Sequence, residues 1–214
     1  RSTEAGLFDY TKEGYVTRDR AAQDEDIVVL IMAGGGGTRF WPLSNQKCPK
    51  QFMNLFHDRT LLQQAFDRAS GLVPADHILI LTNERYVSII HEQVPEIPEA
   101  NIIGEPIARD TAAAIALGAV LCRSRFGNPT MVVLTADHLI SPIETFQRTI
   151  LSAVYAATEE GYLYTFGIVP TFPATGYGYL EQGEMIKADD GIEHFQLLRF
   201  KEKPDLETAR SYVE

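Results

Sequence analysis

Residues 27–39 read IVVLIMAGGGGTR, a largely β-branched apolar run that breaks into four consecutive glycines and then presents Thr38 and Arg39. Such a run fits a buried strand, and the glycines fit a turn whose backbone comes close to a ligand, because no Cβ stands in the way and positive φ is open. Backbone N–H groups in a turn of this kind suit phosphate. The guanidinium of Arg39 adds a permanently charged fork for phosphoryl oxygens. The pattern is not a P-loop, since Thr38-Arg39 stands where Lys-Ser or Lys-Thr is required. The dinucleotide fingerprint fits only loosely, for want of a third glycine at its spacing. A loop that needs only flexibility is the plain alternative.

The rest of the chain sets this turn in an α/β frame. Strand-like runs recur at Ile78–Thr82, Met131–Thr135 and Leu163–Ile168, with helical patterns between them. That alternation predicts a mostly parallel sheet with helices on both faces. Thr60 with Gln63 and Ser141 with Glu144 fit capping boxes, and Pro142 suits a first turn. From Thr111 to Phe126 an Ala-rich helix is expected, its small side chains letting it lie close to the sheet. Beyond Phe172, Thr175–Glu181 and His194–Phe200 read as antiparallel strands flanking a turn-like stretch from Lys187 to Gly191, so a small antiparallel β extension is expected. A helical pattern begins at Asp205.

At 214 residues, 45% hydrophobic, the chain can bury one α/β core. The net charge of −10 argues against a broad nucleic-acid footprint and for a small anionic ligand held by a local cluster. Two cysteines, Cys48 and Cys122, make neither a disulfide framework nor a four-ligand zinc site, and a reducing cytoplasmic setting is expected. No apolar stretch reaches the roughly 18 residues of a membrane span, so no membrane partner is expected. Residues 1–26 are polar and mixed in charge and read as a leader or an appended extension without chemistry; residues 27–214 read as one domain. Oligomeric state stays open, a homo-oligomer included.

Four groups of residues carry the candidate chemistry. Lys50, set by Pro49 in a loop, can bring a second cation to the phosphates gripped by the glycine turn, or can be a solvated surface lysine. Phe40 and Trp41 read as core anchors of that loop. Asp137 follows an apolar strand at the end where α/β sheets gather ligands, and a lone carboxylate there suits Mg²⁺; the alternative is that it caps the next turn. His138 reads as structural. Glu105, stiffened by Pro106 in a polar loop, offers two acceptor oxygens matched to the two adjacent donors of guanine, while Asp110 or Thr111 reads as an N-cap. Glu202 and Lys203, in Phe200–Pro204, could meet sugar hydroxyls and a sugar phosphate, although such a charged strand end is often a solvated edge.

Ala33–Ser44, Pro49–Phe52, Glu105-Pro106 with Arg109-Asp110-Thr111, Ala136–His138 and Phe200–Pro204, taken in this order, resemble the sugar-1-phosphate nucleotidylyltransferases, and within them the members acting on GTP and mannose 1-phosphate. The resemblance implies a Rossmann-like nucleotidyltransferase core and the transfer of GMP from GTP to mannose 1-phosphate, giving GDP-mannose and diphosphate. Attack of the sugar phosphate on the α-phosphorus would be direct, without a covalent enzyme intermediate. By that resemblance Ala33, Gly34, Gly35, Gly36, Gly37, Thr38 and Arg39 would hold the triphosphate with Lys50, and Glu105, Arg109 and Thr111 would complete the nucleotide site. Arg39, Lys50 and Asp137 would be catalytic, Asp137 would bind Mg²⁺, and Gly176, Glu202 and Lys203 would hold the mannose phosphate.

Two positions depart from the family pattern: Gly36 stands where serine is usual and Asp110 where asparagine is usual. The family pattern also extends beyond Glu214, through a second metal-binding aspartate, so the domain is expected to be C-terminally incomplete. Other members of the family use UTP or dTTP and glucose 1-phosphate. A catalytically inactive nucleotide-binding regulatory domain is the reading from another class.

Overall fold

Ile27–Met32 forms a strand, β3, with Val28 to Ile31 wholly buried, as a run of apolar residues covered on both faces requires. The computed structural model describes residues 7–11, 14–18, 27–35, 44, 49–55, 58–107 and 109–213. They fall into two units, Arg1–Thr158 and Glu159–Glu214, each taken by itself below.

In the first unit, β3 pairs in parallel with β4 (Ile78–Asn83) on one side and β6 (Thr130–Thr135) on the other, and β4 pairs in parallel with β5 (Ile102–Glu105). The sheet order is therefore β5-β4-β3-β6. The chain steps outward from β3 to β4 to β5, then returns to lay β6 on the opposite side of β3. That reversal makes a topological switch point between β3 and β6, the place at the carboxyl ends of the strands where open α/β sheets ordinarily bind ligands.

Side chains of alternate parity point to opposite faces. Val29, Ile31, Ile78, Ile80 and Val132 share a core with helices α1 (Leu61–Ser70), α2 (Val87–Gln93) and α4 (Ile143–Glu160), through residues such as Leu62, Phe66, Ile90 and Ile150. Val28, Leu30, Leu79 and Leu81 pack with Ala114 and Cys122 of α3 (Asp110–Phe126) on the other side. Each fully buried Leu or Ile contributes about 1.5–3 kcal/mol of transfer free energy. Helices on both faces of a parallel sheet match the sequence expectation. The close approach of α3 is also visible: a Cβ built on Gly118 would collide with Leu30 Cδ2.

The Thr60 capping box is complete, with Thr60 Oγ1 accepting from the Gln63 amide and Gln63 Oε1 accepting from the Thr60 amide. The one expected at Ser141 is out of register. Pro142 already supplies the carbonyl that accepts from the Phe146 amide, so Ser141 stands outside the helix. Within the segment read as a leader, Leu7–Thr11 (β1) and Gly14–Arg18 (β2) pair as an antiparallel hairpin.

The second unit holds an antiparallel pair, β7 (Gly178–Asp189) and β8 (Ile192–Glu202), and a short helix, α5 (Leu206–Ser211), capped by the Asp205 carboxylate on the Thr208 amide. This is the expected β extension, with a narrower turn. Asp190 and Gly191 alone make the connection, both with positive φ, as a tight hairpin turn demands. Leu163–Ile168 corrects the sequence reading: it forms no strand, and Leu163 and Ile168 are exposed. An apolar run becomes a strand only when a neighbouring backbone completes its ladder, and none among the described residues pairs with it.

Candidate functional site

The ladder register brings Met32, Leu81 and Thr135 level at the carboxyl edge of the sheet, with Glu105 opposite Asn83 one strand further out. Whatever follows these residues shares one rim. Ala33 to Gly35 follow β3, Ala136 and Asp137 follow β6, and Glu105 ends β5. The sequence reading had Glu105 in a loop; it is the last residue of a strand, and that strand carries it to the rim.

Ala33, just before the glycines, is fixed to the sheet by short bonds. The Ala33 amide donates to the Leu81 carbonyl (2.7 Å), and the Ala33 carbonyl accepts from Thr82 Oγ1 (3.1 Å). Beside Gly34 stands the Glu105 carboxylate, its Oε2 3.6 Å from where a Cβ would be; beside Gly35 the corresponding space is open. Gly36, Gly37, Thr38 and Arg39, with Phe40, Trp41 and Cys48, lie outside the described residues.

Pro49 leads into a single 3-10 turn, Lys50–Phe52, with Gln51 and Phe52 buried beneath it. From that turn Lys50 Nζ forms an ion pair with Asp137 Oδ2. Both side chains are mostly covered, Lys50 17% and Asp137 29% exposed. Burial pushes the Asp137 carboxyl up, but the hydrogen bond and charge of Lys50, joined by His138 and Thr135, outweigh it and hold the group below its ordinary value. The pair is thus a carboxylate and an ammonium at the switch point, within the same rim as Gly34 and Glu105. Sequence spacing gave no hint that Lys50 and Asp137 touch.

Asp137 is a hard oxygen donor, and Thr135 Oγ1 close to it is buried without a partner of proper hydrogen-bond geometry among the described residues. Mg²⁺ is ordinarily bound by one or two carboxylates together with substrate phosphates, so a single such donor fits it. No cage of three or more His, Cys, Asp or Glu residues occurs among the described residues. His138 presents its ring to solvent, with Nε2 3.9 Å from Asp137 Oδ1, so its side chain builds no core; its carbonyl is the structural part.

Asp110 corrects another expectation. It is the first residue of α3, with φ of 61°, rather than its cap; Arg109 holds the cap position and no side chain there accepts a hydrogen bond. Arg109 and Thr111 are exposed at this helix start. In the second unit Gly176 is open to solvent, Glu202 and Lys203 form an exposed ion pair at 3.2 Å, and the Lys203 amide donates to the Tyr177 carbonyl.

Two supporting residues escaped the sequence reading. Gln51, 2% exposed, donates from Nε2 to the Ala33 and Gly35 carbonyls (2.9 and 3.1 Å). Arg68, also 2% exposed, donates from Nη2 to the His138 carbonyl (3.1 Å) beneath the Asp137 loop, its guanidinium 5.9 Å from the centre of the Phe146 ring. Its signal was in the sequence as a lone charge on the apolar stripe of α1, among Leu61, Ala65 and Ala69. Gln51 left only its place beside Lys50.

Residues 28–214 match the family model described as nucleotidyl transferase. A mannose-1-phosphate guanylyltransferase of Salmonella montevideo is 44% identical over 192 residues, 88% of this chain and 40% of that protein. The enzyme of the same description from Escherichia coli K12 is 43% identical over 188 residues, 86% of this chain and 39% of that protein. The chain therefore spans about 40% of the length of these curated relatives. Among solved structures, that of a mannose-1-phosphate geranyltransferase from Thermus thermophilus superposes with a TM-score of 0.78 at 34% identity, covering 88% of this chain and 53% of the other. A mannose-6-phosphate isomerase from Helicobacter pylori superposes with a TM-score of 0.68 at 28% identity, covering 87% of this chain and 64% of the other.

Proposed function

The chain belongs to the nucleotidyl transferase family, and from that premise we propose that it serves the transfer of GMP from GTP to mannose 1-phosphate, giving GDP-mannose and diphosphate. The observation that carries this reading is the meeting of Lys50 and Asp137 at the switch point, on the same rim as Gly34 and Glu105. The likeness to relatives described as mannose-1-phosphate guanylyltransferases supports the choice of nucleotide and sugar.

In this reading Ala33, Gly34 and Gly35, with Gly36, Gly37, Thr38 and Arg39 after them, hold the triphosphate, while Glu105 accepts from guanine N1–H and the exocyclic amine. Arg109 and Thr111 complete the nucleotide site. Asp137 holds Mg²⁺, which when bound offsets the negative charge of the phosphates. Lys50 and Arg39 bring cations to the phosphoryl oxygens as charge shifts toward the leaving diphosphate. Gly176, Glu202 and Lys203 bind the mannose phosphate.

Direct in-line attack needs no nucleophile from the protein, and catalysis then rests on positioning and charge. A soluble nucleotide and sugar phosphate suit a cytoplasmic protein; among the described residues no helix is long and apolar enough to cross a membrane. The test is turnover of GTP against UTP, each with mannose 1-phosphate and glucose 1-phosphate, in the presence of Mg²⁺. Preference for GTP with mannose 1-phosphate is expected. Preference for UTP or glucose 1-phosphate would move the chain elsewhere in the family, and nucleotide binding without turnover would favour an inactive regulatory domain.

A further inference from the structure

Gln51 stands out as a buried polar side chain whose amide nitrogen, among the described residues, donates to the backbone at the start of the glycine turn. Its amide makes two hydrogen bonds, to the Ala33 and Gly35 carbonyls, and these two contacts differ in kind. Ala33 is already tied to the sheet by its own amide and by Thr82 Oγ1. Gly35 has left the ladder and faces open space on its Cβ side.

A trans peptide is planar, with its C=O and N–H pointing in opposite directions. A carbonyl pinned inward on Gln51 therefore turns the N–H of the same peptide outward. Pinning the Ala33 carbonyl does this for the Gly34 amide, and pinning the Gly35 carbonyl anchors the far end of the Gly34-Gly35 segment, whose amides lie between the two anchors. Thr82 also holds the first anchor, but without the second the Gly34-Gly35 segment would be free to rotate.

We propose that Gln51 is a positioning residue that aims the backbone amides of the glycine turn at the nucleotide's phosphates. The inference rests on the functional reading above. Lys50 and Gln51 then divide one 3-10 turn between them, Lys50 reaching across to Asp137 and Gln51 reaching down to the glycines.

The test is equilibrium binding of GTP and of guanosine, without sugar phosphate, to the wild-type chain and to Gln51→Met, Gln51→Glu and Thr82→Val. Gln51→Met keeps the volume and removes the donor; Gln51→Glu keeps the shape and sets acceptor oxygens against two carbonyls. Both are expected to raise the GTP dissociation constant about tenfold, the scale of one acceptor left unpaired, while guanosine affinity stays within about twofold. Thr82→Val is expected to leave both unchanged, since it touches only the carbonyl that Gln51 also holds.

Equal losses for GTP and guanosine, or an unchanged GTP affinity in a folded Gln51 variant, would overturn the assignment. If one Gln51 variant fails to fold, the other decides. A wild-type chain that binds neither ligand would overturn the functional reading and this inference with it, whereas wild-type binding with unaffected variants would sink this inference alone.

Discussion

Lys50 Nζ lies against Asp137 Oδ2 and ties the turn that follows the glycine segment to the end of β6. With the ammonium in place, the carboxyl is held below its ordinary value of 3.8. A depressed carboxyl stabilises the fold above its unfolded pKa, and that contribution is lost as the pH falls through the lower folded value. In Lys50→Met the largest lowering effects are gone, burial is opposed only by His138 and Thr135, and the Asp137 pKa rises, so the stabilisation that wild type gains near neutrality is lost. Wild type is therefore expected to be the more stable near pH 7, and the difference to shrink as the pH drops below about 4. Urea unfolding across that range measures it; a difference independent of pH would deny the pair.

Glu105→Gln tests the reader of the base. Guanine offers two adjacent donors, and the amide retains one acceptor while losing the charge. The preference for GTP over UTP is expected to fall about ten- to hundredfold in kcat/KM, the range of a charge-assisted hydrogen bond. Unchanged base selectivity would remove Glu105 from this role.

Gly118→Ala tests the packing of α3 on the sheet. The new Cβ would meet the fully buried Leu30, which has little room to yield. Overpacking of this kind costs about 1–3 kcal/mol, or roughly 2–12 °C in Tm for a chain of this size. Leu30→Val should restore part of the loss in the double variant. An unshifted Tm in the single variant would mean that α3 does not approach so closely.

The parallel core was legible because its strands announce themselves twice, as apolar runs and as the partners of helices of opposite periodicity. Val28 to Ile31 and Ile78 to Leu81 needed nothing further. Leu163–Ile168 is likewise rich in strand-favouring residues but lacks the ladder, a distinction that no single segment carries. In the site, Lys50 and Asp137 were readable as residue types, but their contact depends on strand order, since β6 must return beside β3 before the two can meet. Gln51 and Arg68 were missed for a related reason. Their partners are backbone carbonyls of distant segments, and a carbonyl leaves no mark in a sequence.

Diphosphate release from GTP and mannose 1-phosphate, followed as Mg²⁺ is titrated into the wild-type chain and into Asp137→Asn, measures the central claim most directly. Mg²⁺-dependent release is expected from wild type, with a loss of about a hundredfold or more in Asp137→Asn, the scale of removing a charge that acts on the transition state. Near-normal turnover in Asp137→Asn with an unchanged Mg²⁺ requirement would contradict it.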